Sequence, residues 1–161
     1  MAQTGFMLSD EGRTLTVLND SGTTAVEAGD IVYSAANNDA FTGTAASARN
    51  AYAVGDIKVK SMTDSATGYQ TVLGVALQDI PADGYGSIAM EGVFIHAVDN
   101  DTEAGDFVRG DDAASNKLKK FTVATTTVTK AVFDERSQYK CGKALTGGSA
   151  DGKFVAWKLS L

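Results

Sequence analysis

The stretch Glu27-Ala28-Gly29-Asp30-Ile31-Val32 returns further along the chain as Glu103-Ala104-Gly105-Asp106-Phe107-Val108, an offset of 76. Glycine supplies the positive φ of a tight turn, and the Asp that follows can bond local backbone amides. The apolar pair after the turn suits a strand. A second pair of segments follows the same logic. Gly74-Val75-Ala76-Leu77, with Ala82-Asp83-Gly84 behind it, recurs as Gly142-Lys143-Ala144-Leu145 with Ala150-Asp151-Gly152, both at an offset of 68. Each copy thus runs from a Gly-Asp turn into a strand, through a Gly-x-Ala-Leu strand and an Ala-Asp-Gly turn, to Ile88-Ala89-Met90 or Val155-Ala156-Trp157. Two copies are fewer than the roughly three a solenoid needs. The repeat predicts an all-β fold: a compact antiparallel β-barrel or β-sandwich with an internal pseudo-repeat, one β domain over residues 1–161.

The remaining sequence points the same way. With 17 Gly, 1 Pro and many Thr and Val, the chain suits short strands joined by glycine turns, with little helix. Thr14 to Leu18 alternates and ends in the turn residues Asn19-Asp20-Ser21-Gly22. Asp56 to Met62 alternates polar and apolar residues, so one face should be buried and its lysines solvated. Thr71 to Leu77 is more continuously apolar. Ser87 to Val98 reads as two strands or one bent strand around Gly92, Phe121 to Val132 as strand or hairpin, and Phe154 to Leu159 as a closing strand. Ala35 to Ala53 is the best helix candidate, but Asn37-Asn38-Asp39 and Gly43 interrupt it, so 34–53 is expected to be a surface loop. Residues 1–10 form an extended N-terminal segment. Its apolar triplet Phe6, Met7 and Leu8 either packs as a first strand or acts as an arm ordered by a neighbour.

Composition excludes several classes of function. The chain carries 14 basic and 20 acidic residues, a net charge of -6, which argues against nucleic-acid binding. One Cys and one His allow neither an internal disulfide nor a Cys/His zinc site. No apolar run approaches the ~20 residues of a membrane helix, and the first residues lack the pattern of a signal peptide. Short motifs fail on context. Gly84-Tyr85-Gly86-Ser87-Ile88-Ala89 has the spacing of a dinucleotide fingerprint, but a β-branched segment follows it where a helix is required. Asp99 to Glu103 starts like a calcium loop, yet Ala104 replaces the required Gly and Gly110 the closing Glu. Arg109-Gly110-Asp111 is too short to carry meaning alone. His96 has no obvious catalytic partner, and Cys141 reads as a small buried thiol. No catalytic, cofactor-binding or metal-ligating residue is expected, and neither is an enzyme.

The charge is unevenly distributed. Residues 1–112 carry 17 acids and 5 bases, whereas 113–161 carry 3 acids and 9 bases. Lys117, Lys119 and Lys120 make the densest basic run and are candidates for docking on an acidic partner.

Several of these segments together resemble a family. Glu11-Gly12-Arg13-Thr14-Leu15-Thr16-Val17 resembles the E-G-x-x-L-x-V opening of small tailed-phage head proteins. Ala28 to Val32 is similar to their A-G-D-x-V turn, Leu73 to Ile80 to their G-V-A-x-x-D-I strand, and Gly86 to Phe94 to a segment ending E-G-V-F. Gly142-Lys143-Ala144 and Phe154 to Leu159 match the closing strands in type. The segment from Ser34 to Ala53 is longer than the connection in that pattern. The resemblance implies a capsid decoration, or cement, protein that is made in the host cytoplasm and becomes part of the virion. It would bind the major capsid protein on the outer surface of an icosahedral shell, as a homotrimer, and stabilise the expanded shell. It would need no cofactor, nucleic acid or membrane. The candidate interface is then Phe6, Met7, Leu8, Lys117, Lys119 and Lys120. The alternative is a capsid-displayed carbohydrate- or host-binding β-module, with Tyr33, Phe41, Tyr52 and Tyr85 as the aromatics to present.

Overall fold

Alternation of buried and solvated side chains sets the strands. The computed structural model describes residues 5–9, 13–35, 57–64, 71–122, 139–149 and 151–160. The strands are β1 (Gly5–Ser9), β2 (Thr14–Asn19), β3 (Ile31–Ser34), β4 (Lys58–Ser61), β5 (Val72–Ala76), β6 (Tyr85–Ala89), β7 (Glu91–Ala97), β8 (Phe107–Gly110), β9 (Leu118–Lys120), β10 (Gly142–Ala144) and β11 (Phe154–Ser160). The described residues hold no α-helix, only a 3-10 turn at Met62–Asp64. In β7 and β11 every second residue is buried, the period-two pattern of a sheet with one covered face. Ser87 to Val98 is indeed two strands, and Met90 hands the chain from β6 to β7.

Strands β2-β4-β3-β5-β6 close into a barrel. The other sheet runs β1-β7-β11-β10-β8-β9. Without β1, its five strands repeat the barrel's connections one for one. Val32 faces Gly74 as Val108 faces Gly142, Val75 faces Ala89 as Lys143 faces Lys158, and Val17 faces Gly86 as His96 faces Val155. The turns match too. Asp30 Oδ2 accepts from the Glu27 amide and Asp106 Oδ2 from the Glu103 amide, at 3.1 and 2.8 Å. The internal repeat is therefore a repeat of topology: β2 to β6 form one copy and β7 to β11 the other.

The fold is the expected compact all-β one, and within its mainly antiparallel pairing one contact in each copy runs parallel. β2 and β4 run parallel, and Val98 and Leu118 form the matching parallel bridge in the second copy. Parity gives the reason. Up and down directions cannot alternate around a ring of five strands, so one neighbouring pair must run parallel. In the second copy β1 occupies β7 beside that seam, with Phe6 opposite Ile95 and Met7 opposite Phe94. Phe6 to Leu8 thus lie in a strand paired within the chain, and Ser34, taken as the first loop residue, ends β3. Residues 36–53 and 123–132 lie outside the described residues.

The glycine of each Gly-x-Ala-Leu segment answers to one close approach. A Cβ on Gly74 would collide with the Ala89 carbonyl oxygen, and one on Gly142 with the Lys158 carbonyl oxygen. Two apolar clusters fill the molecule. Val17, Val32, Val59, Ile80 and Ile88 pack together in the barrel. Ile31, Met62, Val75 and Ala89 of the first copy instead join Phe94, Val108, Leu118 and Trp157 of the second. The two copies share a core.

Candidate functional site

The seam between the copies holds a buried polar network. Asp30 Oδ1 accepts from Asn116 Nδ2 at 2.9 Å, and its Oδ2 accepts from Ser61 Oγ at 2.9 Å. Asn116 Oδ1 in turn accepts the Ile31 amide at 2.7 Å. Burial pushes the Asp30 carboxyl above its ordinary range, against the hydrogen bonds that favour the charged form. His96 lies beside this network, fully buried, 2.7 Å through Nε2 from the Gly29 carbonyl oxygen. Its Nδ1 accepts from Trp157 Nε1 at 2.9 Å. A carbonyl can only accept, so the proton sits on Nε2 and the ring is neutral. Burial accordingly pushes the imidazole down to about 4. Both ring nitrogens are committed to joining strands.

The lysines singled out in the sequence are all engaged within the second copy. Lys117 Nζ lies 2.7 Å from Asp151, Lys119 Nζ 2.9 Å from Asp112 and 3.2 Å from Asp99, and Lys120 Nζ 2.9 Å from Asp106. These bonds raise the lysine pKa values. Lys119 and Arg109 hold the Asp112 carboxyl well below the usual carboxylate range. Structure does not bring Phe6, Met7 and Leu8 into this set, because they belong to β1 at the far edge of the sheet.

The discarded motifs find structural roles. Asp111 of Arg109-Gly110-Asp111 is buried and accepts from Ser115 Oγ at 2.7 Å. The Gly84 to Ala89 segment forms β6, a strand. Asn100 Oδ1 accepts the Lys120 amide at 3.0 Å, which ties the acidic turn to β9. Cys141 is buried, and desolvation pushes its thiol up to about 12, so it is a poor nucleophile. Of the proposed aromatics, Tyr33 packs against the shared core while Tyr85 is 59% exposed. Phe41 and Tyr52 lie outside the described residues. Among the described residues no group of three or more His, Cys, Asp or Glu is placed to hold a metal, and no helix is long and apolar enough to cross a membrane.

Sequence reading missed the most distinctive surface. An open groove of about 370 Å³ on the outer face of β8, β10 and β11 is lined by Phe107, Lys140, Gly142, Lys143, Lys158 and Ser160. Phe107 is 50% exposed, and Lys140 Nζ stands 4.5 Å from its ring centre and 5.0 Å from that of Phe121. Lys143 Nζ stands 5.9 Å from the Phe107 ring. These are cation–π distances. Among the described residues none of the lining side chains is acidic, so they give the groove an apolar floor with a cationic rim. Its residues are scattered in sequence. Only an alignment of the two copies, with Lys143 under Val75, would have flagged them.

No protein-family model matches the chain, and no curated protein sequence does. Among solved structures it is similar to the N base of the head fiber protein gp8.5 of bacteriophage phi29, at 13% identity and a TM-score of 0.49, over 92% of this chain and 93% of that one.

Proposed function

We propose that this chain is a structural virion protein that binds the outer surface of an icosahedral phage capsid. It would sit as a homotrimer on the major capsid protein and stabilise the expanded shell. What carries the reading is where the family-like segments fall. The Glu11 to Val17 segment ends within β2, Ala28 to Val32 forms the turn into β3, Leu73 to Ile80 overlaps most of β5, and Gly86 to Phe94 crosses from β6 to β7. They mark the frame of the first ring and its hand-over to the second copy. A frame repeated over many identical subunits acts through surface complementarity and multivalent attachment. The test is co-sedimentation with phage heads. Purified chain should pellet with expanded heads and not with unexpanded ones, and saturated heads should lose DNA at a higher temperature than bare ones. Equal recovery with both head forms, or none with either, would overturn the proposal.

One observation favours a second reading, a capsid-displayed glycan- or host-binding module. Tyr85 opens β6 and Phe154 opens β11, at matching places in the two copies, and they are 59% and 53% exposed. A glycan array with no hits would remove it.

A further inference from the structure

The Phe107 groove has a counterpart elsewhere in the same molecule. Ile31 faces Val75 as Phe107 faces Lys143, and Val75 faces Ala89 as Lys143 faces Lys158. Ser61 pairs with Val32 as Lys120 pairs with Val108, so the next residues, Met62 and Phe121, also correspond. In the first copy Ile31, Met62, Val75 and Ala89 are all but completely buried, in the core shared with the second copy. The groove is the same face of the same topology without a second copy on it. Its floor is apolar in both copies, Phe107 and Phe121 here against Ile31 and Met62 there, while lysines stand at the positions of Val75 and Ala89.

We infer that this groove is a docking surface for an acidic polypeptide segment that carries an apolar side chain. The apolar side chain would rest on Phe107 and Phe121, and the carboxylates would meet Lys140 and Lys143. Putting lysine where a permanent interface has Val and Ala turns a constitutive apolar contact into one that selects for charge. Polypeptide fits better than nucleic acid because a polypeptide fills the counterpart face. A second copy docked in the same way is disfavoured. The counterpart face is filled by Phe94 and Trp157, whose own equivalents in the barrel are Leu15 and Ile88. Those two are packed in the barrel cluster, and Ile88 is 0% exposed.

The test is fluorescence anisotropy with a labelled 12-residue peptide of Glu residues carrying two Phe. Controls are an all-Glu peptide, a peptide with Lys in place of Glu, and a single-stranded oligonucleotide of equal charge. The Glu/Phe peptide should bind saturably and lose affinity as salt rises. The K140E/K143E double variant and F107A should each weaken binding at least about tenfold, with the near-ultraviolet circular dichroism of Trp157 unchanged. Unaltered binding by both variants would overturn the inference. So would equal binding of the Lys peptide or the oligonucleotide, or no saturable binding. Concentration-dependent self-association abolished by the same substitutions would overturn it too, by giving the groove to a second copy. No phage head enters the assay, so its outcome is independent of the virion reading.

Discussion

The His96–Trp157 pair shows how one residue can fix both a tautomer and a seam. Trp157→Phe keeps an aromatic ring but removes the indole N–H donor, which leaves the buried Nδ1 without a partner and a small void where the larger ring stood. The expected cost is about 1–3 kcal/mol in a urea titration. Acid acts on the same residue with a definite sign. His96 stays neutral in the folded chain down to about pH 4, whereas an unfolded His takes up a proton near 6.5. Between those values the unfolded state binds more protons, so stability should fall as pH drops through that window. Asp30, whose carboxyl burial raises above its ordinary value, works in the opposite direction at the acid end. The urea midpoint should therefore be lower at pH 5 than at pH 7, and His96→Phe should flatten that slope even if it lowers both midpoints. The matched glycines give a comparison between residues. Gly74→Ala and Gly142→Ala place a methyl against a strand carbonyl, while Gly22→Ala meets only an unfavourable φ of 68° in open space. The first two should each cost more than Gly22→Ala, which should cost about 1 kcal/mol.

Between single residues and the whole lies the seam strand. β1 covers the β7 edge at Val93 to His96, next to the parallel bridge that holds the second copy together. Removing residues 1–9 would uncover that edge, and an uncovered edge templates pairing with other chains. The truncated chain should aggregate faster than the full chain on warming, read by light scattering; equal rates would show that the edge is protected some other way. Elements of this kind also mark how far the sequence could be read. The Gly-Asp turns and the Gly-x-Ala-Leu strands were legible because tight turns and close approaches admit few residues. β9 was not, since Leu118-Lys119-Lys120 has one apolar residue and reads as a basic run. The parallel pairs were invisible because strand direction in a ring depends on how many strands close it. The groove was hidden for a related reason: Phe107, Lys140, Lys143 and Lys158 become neighbours only through the pairing of β8, β10 and β11.

At the scale of the molecule, the shared core makes the two copies one thermodynamic partner. Ile31 and Met62 lose their cover if the second copy opens, and Asn116 ties the β3 amide to the turn before β9. Unfolding followed by Trp157 fluorescence, which reports the second copy, should coincide with loss of β-signal from the whole chain. Asn116→Ala would leave Asp30 and the Ile31 amide each short of a partner, and it should lower both transitions together. Two separated transitions in the unaltered chain would show that the copies are independent. The charge imbalance also takes a different shape at this scale. Lys117, Lys119 and Lys120 are neutralised inside the second copy, whereas Lys140, Lys143 and Lys158 line the groove around Phe107.

The seam strand also has a history. The first ring takes no strand after Ala89, so all five of its strands are made by the time that residue has left the ribosome. β1 precedes that ring yet finds its place only on β7, and the sheet around β7 waits for β11 near residue 160. At the ~5–20 residues per second of synthesis, several seconds separate the last strand of the first ring from β11. Order of manufacture and order of enclosure thus run opposite ways: β1 is made before the first ring, yet the strand that covers it is made after that ring.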